Sequence, residues 1–246
     1  VFFSKIGVLD GTPELRGSIP FNRLYGAVLK IARPESLNEV DGKNYLAFSS
    51  RLIHFSASGL AGVWAEENTR EAIYDAFRRK ETFATSGPRI KVRFFGGYGL
   101  SNIQLKNEDL LDELYKNSVA MGSTLLAEEK KSPSFLVWAI ADAQGAPLQR
   151  TQVIKGWLEN GEHQEKVYDV SCSDGLVVDA KTNRCPDNGA RVNLSNCYYS
   201  KDLGANELKA LWKDPDFLLG QEAFYYVRVL ENPVCRWSTW DAVKNG

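Results

Sequence analysis

Residues 59–95 constrain the fold more than any other part of the sequence, because they read strand, helix, strand. Residues 60–65 are a short apolar run introduced by Gly59, the pattern of a strand buried on both faces. Such a strand wants paired neighbours on both edges. Asn68 followed by Glu71 has the form of a capping box: the amide oxygen accepts from an orphan backbone N–H while Glu71 reaches back. Ala72, Ile73, Ala76 and Phe77 then recur at helical spacing, and Arg78, Arg79 and Lys80 suit the negative end of the helix dipole. Beyond Ser86-Gly87-Pro88, the alternation of Ile90, Val92 and Phe94 with Arg89, Lys91 and Arg93 predicts a half-exposed strand at an edge or in another layer. With no comparable buried strand before residue 60, the neighbours of the 60–65 strand are expected from outside this chain.

The run from Thr69 to Ile90 resembles the last helix and following strand of exported bacterial PHP-like metal-dependent hydrolases. It resembles more closely a large bacterial family of unknown function that joins such a domain to a carboxy-terminal β-rich region. The stretch Ala223-Phe-Tyr-Tyr-Val-Arg-Val-Leu-Glu-Asn-Pro-Val-Cys-Arg-Trp-Ser-Thr-Trp-Asp241 is similar to that family's end, and the likeness covers nearly the whole chain from about Leu60 onward. It implies an α/β plus β fold: the tail of a PHP-like α/β hydrolase layer in residues 1–130, with an irregular insertion at 1–58, then a small β-sandwich-like module in residues 131–246. It also implies part of an exported hydrolase dependent on a divalent metal, with phosphoesters as the expected substrates. The histidine- and aspartate-rich metal motifs of PHP-like domains lie upstream, and nothing like them occurs in these residues. The resemblance therefore implies a carboxy-terminal portion, inactive alone, with no catalytic residue and no metal of its own. Its expected partner is an upstream piece of the same polypeptide or a second copy.

A chain of 246 residues can bury a sizeable core in one large domain or two small ones. Its net charge of −1 gives no electrostatic reason to expect nucleic acid as a partner. No run of about 18 apolar residues occurs, so no transmembrane segment is expected. The start, Val1-Phe2-Phe3-Ser4-Lys5, lacks the layout of a signal peptide, which says nothing about export.

The four cysteines, Cys172, Cys185, Cys197 and Cys235, do not have the paired spacing of a zinc knuckle. Their even number in loop-rich surroundings predicts two disulfides and a periplasmic or extracellular location. Three pairings are possible. Cys172 with Cys185 and Cys197 with Cys235 is preferred, since the first closes a short local loop.

Along the chain, residues 21–32 read as a helix ended by Pro34, 35–44 as a polar loop, and 45–55 as strand or loop. Gly96-Gly97-Tyr98-Gly99 is a turn and not a nucleotide loop, since neither G-x-G-x-x-G nor a Walker lysine follows. Residues 107–119 read as a helix terminated by Gly122, and 127–132 as a charged, solvated linker. Strands are then expected at 135–141, 148–159 and 163–170, the last two joined through Asn160-Gly161, a strong hairpin signal. A cysteine-bearing irregular excursion at 171–203, a short helix at 205–212 and an aromatic strand at 223–231 complete the reading.

His54 and His163 have no ligand-like companions, and no G-x-S-x-G elbow is present. Glu66-Glu67 is the best carboxylate pair, placed where a buried strand hands over to a helix, the end at which α/β proteins bind ligands. One glutamate could orient a metal ligand or a substrate hydroxyl, and Arg70 and Arg89 could meet an anionic ester. These four are the cleft-lining candidates. Against them stands helix-dipole stabilisation of about 0.3–1 kcal/mol for the glutamates and ordinary surface ion pairing for the arginines. Trp138, Trp157, Trp212, Tyr225, Tyr226, Trp237 and Trp240 suggest a carbohydrate platform, but a small β-module needs bulky core side chains and core packing is preferred. The alternative function is a non-catalytic binding or structural β-module acting through these aromatics.

Overall fold

The computed structural model describes residues 59–129, 131–236, 239, 240 and 243, and the backbone of three short strands nearer the start. In chain order the elements are β1 (Phe2–Lys5), β2 (Leu37–Val40), β3 (Lys43–Leu46), β4 (Leu60–Val63), α1 (Arg70–Arg78), β5 (Thr82–Thr85) and β6 (Lys91–Gly97). After them come α2 (Leu110–Asn117), β7 (Val119–Ala120), β8 (Ser134–Ile140), β9 (Leu148–Glu159), β10 (Glu162–Cys172), β11 (Val192–Asn193), β12 (Tyr198–Tyr199), β13 (Glu207–Lys213) and β14 (Ala223–Glu231). The fold is mostly β, with two short helices and several small sheets. Among the described residues every strand pairing is antiparallel.

That corrects the expected α/β layer. The order strand, helix, strand holds at β4, α1 and β5, but β5 runs back antiparallel beside β4. The reversal is made at Lys80, whose φ of 60° turns the chain as the helix ends. β4 is paired on its other side by β1, so both of its edges are taken within this chain and its ladder needs no outside strand. Thr69 caps α1 in place of Asn68: its backbone is extended and its hydroxyl accepts from the Ala72 N–H at 3.3 Å. The segment read as a polar loop at 35–44 contains the β2–β3 hairpin. The helix expected at 21–32, most of the segment at 45–55, His54 and Trp237 lie outside the described residues.

The larger structure has two sheets, ordered β13-β8-β6-β7 and β10-β9-β14. β6 and β8 stand on either side of residue 130 and pair along seven rungs from Lys91–Ile140 to Gly97–Ser134, so the linker there does not divide one sheet from another. α2 lies on one face of the four-stranded sheet, where Leu110 and Leu114 pack with Phe95, Leu100, Ile103 and Leu136. Each such buried side chain stabilises by about 1.5–3 kcal/mol. α2 is shorter than expected and ends at Ser118; Gly122 does not cap it. Gly122, at φ +82°, instead passes so close to Lys80 that a Cβ there would lie 2.4 Å from the Lys80 carbonyl oxygen. On the opposite face Phe135 stacks near Phe94 at 5.4 Å and meets Tyr225 of β14 at 4.4 Å, while Tyr168 of β10 lies 4.8 Å from Trp212 of β13. This aromatic layer joins the two sheets.

The segment expected as a helix at 205–212 is strand β13, paired to β8 from Glu207–Ile140 to Lys213–Ser134. Its alanine, leucine, glutamate and lysine residues favour a helix locally, and the exposed edge of β8 overrides them. The β9–β10 hairpin is as expected, with Asn160 at φ 53° and Gly161 at φ 83° in its turn. Both disulfides take the preferred pairing, Cys172–Cys185 and Cys197–Cys235, with Cα–Cα distances of 5.7 and 5.5 Å. They favour an oxidising environment. The first closes beneath Asp169, a buried carboxylate that accepts from the Cys185 N–H at 2.7 Å and the Gln152 side chain at 2.7 Å.

The small sheet meets the four-stranded one at Trp64. Its indole N–H donates to the Val92 carbonyl at 2.8 Å, and the Arg93 guanidinium lies over its ring at 3.5 Å. Arg93 also donates to the Tyr115 hydroxyl at 2.9 Å, and that hydroxyl donates to buried Glu81 at 2.8 Å. Burial, and then the bond to Glu81, hold the Tyr115 phenol above its ordinary pKa.

A cleft between three strands

A cleft of about 1280 Å³ opens beside the aromatic layer. β6 and its flanks line it with every second residue: Ile90, Val92, Phe94, Gly96 and Tyr98. A strand that shows alternate residues presents its face, so the four-stranded sheet is the floor. β14 lines the cleft with every residue from Ala223 to Val229, and β5 with every residue from Thr82 to Thr85. A strand that shows consecutive residues presents its edge, and both are the outermost strands of their sheets. The segment 119–127 and the 217–222 stretch before β14 complete the rim.

Behind the β14 wall lies a buried charged network. Lys155, 1% exposed in the middle of β9, donates to Asp214 at 2.8 Å and to the Asp216 carbonyl at 2.7 Å. Asp214, itself 2% exposed, also accepts from the Tyr225 hydroxyl at 2.7 Å and the Asp216 N–H at 2.9 Å. The Asp216 carboxylate accepts from Lys166 at 2.5 Å and from the Tyr168 hydroxyl. Lys166, and then Tyr168, hold the Asp216 carboxyl below its usual range. Burial, followed by the bonds to Asp214 and Asp216, raises the phenols of Tyr225 and Tyr168, which stay neutral donors. A buried charge pair with every oxygen engaged fixes one geometry, and here it pins the start of the 214–222 rim to β9.

At the end of β14, Glu231 brings a carboxyl to the cleft. Its Oε2 is buried without a hydrogen-bond partner. Burial, then the nearby Asp142 carboxylate, push its pKa up to about 7. Asp142 itself accepts from the Arg89 and Gln144 N–H groups at 2.7 and 3.0 Å.

Glu66, Glu67, Arg70 and Arg89 are all exposed. The two glutamates follow β4 just before α1, Arg70 opens α1, and Arg89 donates its backbone N–H to Asp142 at 2.7 Å. None of the four is among the residues lining this cleft. Ligands gather at the carboxyl ends of strands in parallel α/β sheets, whereas β4, which Glu66-Glu67 follow, is antiparallel to both neighbours. His163 is exposed, as expected after a hairpin turn. Trp212 and Tyr225 belong to the aromatic layer, whereas Tyr226 is 38% and Trp240 36% exposed.

Among the described residues, no group of three or more His, Cys, Asp or Glu comes together to hold a metal ion. The divalent metal expected for the intact protein has no ligand set in them. Residues 23–246 match the family described as "Protein of unknown function (DUF3604)", and the chain belongs to that family. No curated protein and no solved structure matches it.

Proposed function

We propose that this chain is the ligand-binding part of a larger exported protein, and that its cleft takes the ligand through aromatic and apolar contacts. The observation that carries this reading is the composition of the cleft. Val92, Phe94 and Phe135 form an apolar floor beside Tyr225, with few charges along it. Wide, largely apolar concavities with a few polar groups are the usual form of a binding site. The two disulfides fit an exported protein, in the periplasm or outside the cell.

The test is a titration of 1-anilinonaphthalene-8-sulfonate, a dye that reports apolar concavities, into the chain and into a Val92→Asp variant. Saturable enhancement in the parent, lost in a variant with unchanged near-ultraviolet circular dichroism, is expected. Equal enhancement in both would remove the cleft as the binding site.

A second reading concerns the whole polypeptide. The likeness of residues 69–90 to PHP-like hydrolases supports metal-dependent hydrolysis of phosphoesters, with the metal held by residues upstream of this chain. Metal analysis and p-nitrophenyl phosphate turnover, on the full-length polypeptide and on this chain, test it. Bound metal with turnover is expected in the first alone. Turnover in this chain would move the catalytic residues into it, and none in either would end the hydrolase reading.

A further inference from the structure

The outer edge of β14 is unusual for an exposed strand. β14 is nine residues long, pairs with β9 on one side, and has no strand beside it on the other among the described residues. Nine residues present about 30 Å of backbone, with donors and acceptors recurring along the free edge. Edge strands in soluble proteins are ordinarily blunted by lysines, prolines, bulges or a covering segment. Between Ala223 and Val229 this edge has a single charge, Arg228, no proline and no bulge, and its Phe224 is 61% exposed.

The surroundings select what could lie there. The floor next to β14 offers Val92 and Phe94 at alternate positions, with Phe135 between the sheets. An extended chain beside β14 would place every second side chain on that floor and the others toward solvent. The charged side chains of the lining nearly balance, Lys80 and Arg228 against Glu222 and Glu231, the last about half ionised near neutral pH. That balance suits a neutral backbone and not a polyanion. A polypeptide main chain also matches the spacing of the edge's hydrogen-bonding groups along its whole length.

We propose that β14 is a docking edge for an extended peptide segment of another protein, with apolar residues at alternate positions, which adds as a fourth strand to the β10-β9-β14 sheet. Such β-augmentation takes affinity from main-chain hydrogen bonds and selectivity from the pockets under alternate side chains. The inference rests on the cleft being the binding site and names the ligand class.

The probe is a short fluorescein-labelled peptide alternating valine with threonine, lysine and glutamate. Two further versions carry N-methyl groups on its odd-numbered or its even-numbered amides. Only one phase of amides faces β14, so one methylated peptide should bind at least about tenfold more weakly than the other. Hydrogen exchange of alternate amides in β14 should slow when the parent peptide is added. Absence of binding, or equal weakening in both phases, overturns the inference. If the dye still binds in that case, the cleft remains a binding site and only the ligand class falls. Concentration-dependent dimerisation without peptide, with the same amides protected, would assign the edge to a second copy and also overturn it.

Discussion

The two walls of the cleft are both outermost strands, yet they are held in different ways. β14 leans on β9, whose residues 151–156 are all buried, and the Lys155–Asp214–Tyr225 network locks the turn that leads into it. Cys235, four residues beyond its end, is tied to Cys197. β5 has four residues, none of them buried, and follows a helix in which only Ala76 is buried while Tyr74 and Phe77 are 59% and 44% exposed. One wall is fixed by buried polar bonds that tolerate a single arrangement. The other has few buried contacts, the condition for local opening at low free energy. The difference predicts that the β14 edge keeps its register while any change in cleft width comes from the β5 side.

The largest effect should come from breaking the firm wall at its centre. Lys155→Met leaves the Asp214 carboxylate buried and unpaired and should cost about 3–5 kcal/mol in chemical denaturation. Adding Asp214→Asn should recover part of that loss, because it removes the stranded charge. A loss below about 1 kcal/mol would mean that the pair does not hold the wall. Next is Cys197→Ser with Cys235→Ser. The disulfide spans a sequence separation of 38, for which chain entropy predicts about 3–4 kcal/mol. Unchanged stability would separate the β14 wall from its covalent anchor.

Glu231 sharpens the comparison through pH. Its pKa rises from an ordinary 4.5 to about 7 in the fold, so the folded protein holds this proton more tightly than the unfolded chain. Its stabilising contribution is complete below about pH 4.5 and is lost as pH rises toward about 7. After allowance for its partial exposure the loss is on the order of 1–2 kcal/mol. Glu231→Gln should flatten that part of the stability profile, and the same fall in the variant would assign it to another group. The smallest effect belongs to the soft wall. Thr69→Ala removes the α1 cap and should cost about 1 kcal/mol or less. It should speed hydrogen exchange in α1 and β5 while β9 and β14 keep their protection. Equal acceleration everywhere would mean that the walls open together.

What the sequence revealed follows the same division. The β9–β10 hairpin was legible because alternation, length and an Asn-Gly turn all agree, and the disulfide pairing because one pair closes a local loop. β13 was not, since its local propensity is helical and only its seven-rung pairing with β8 makes it a strand. The hairpin at 37–46 had a signal in the Asp-Gly dipeptide at 41–42, which outweighs the polar composition that suggests a loop. Lys155 could have been noticed as a lysine inside the apolar run Val153-Ile154-Lys155-Gly156-Trp157, a position that demands a buried partner. Nothing local pointed to that partner 59 residues away. The cleft was illegible for a related reason: its floor and walls come from three sheets whose arrangement no single segment encodes.

Trp64 has a consequence for observing this protein. Its indole is bonded to the backbone of the floor strand and lies against the full positive charge of Arg93. The emission colour of an indole follows the electric field across its ring, so a small shift of the soft wall relative to Arg93 changes that colour. Trp64 is thus an intrinsic optical gauge at the joint between the small sheet and the four-stranded one, and a displacement of one against the other would be read as light without any added label.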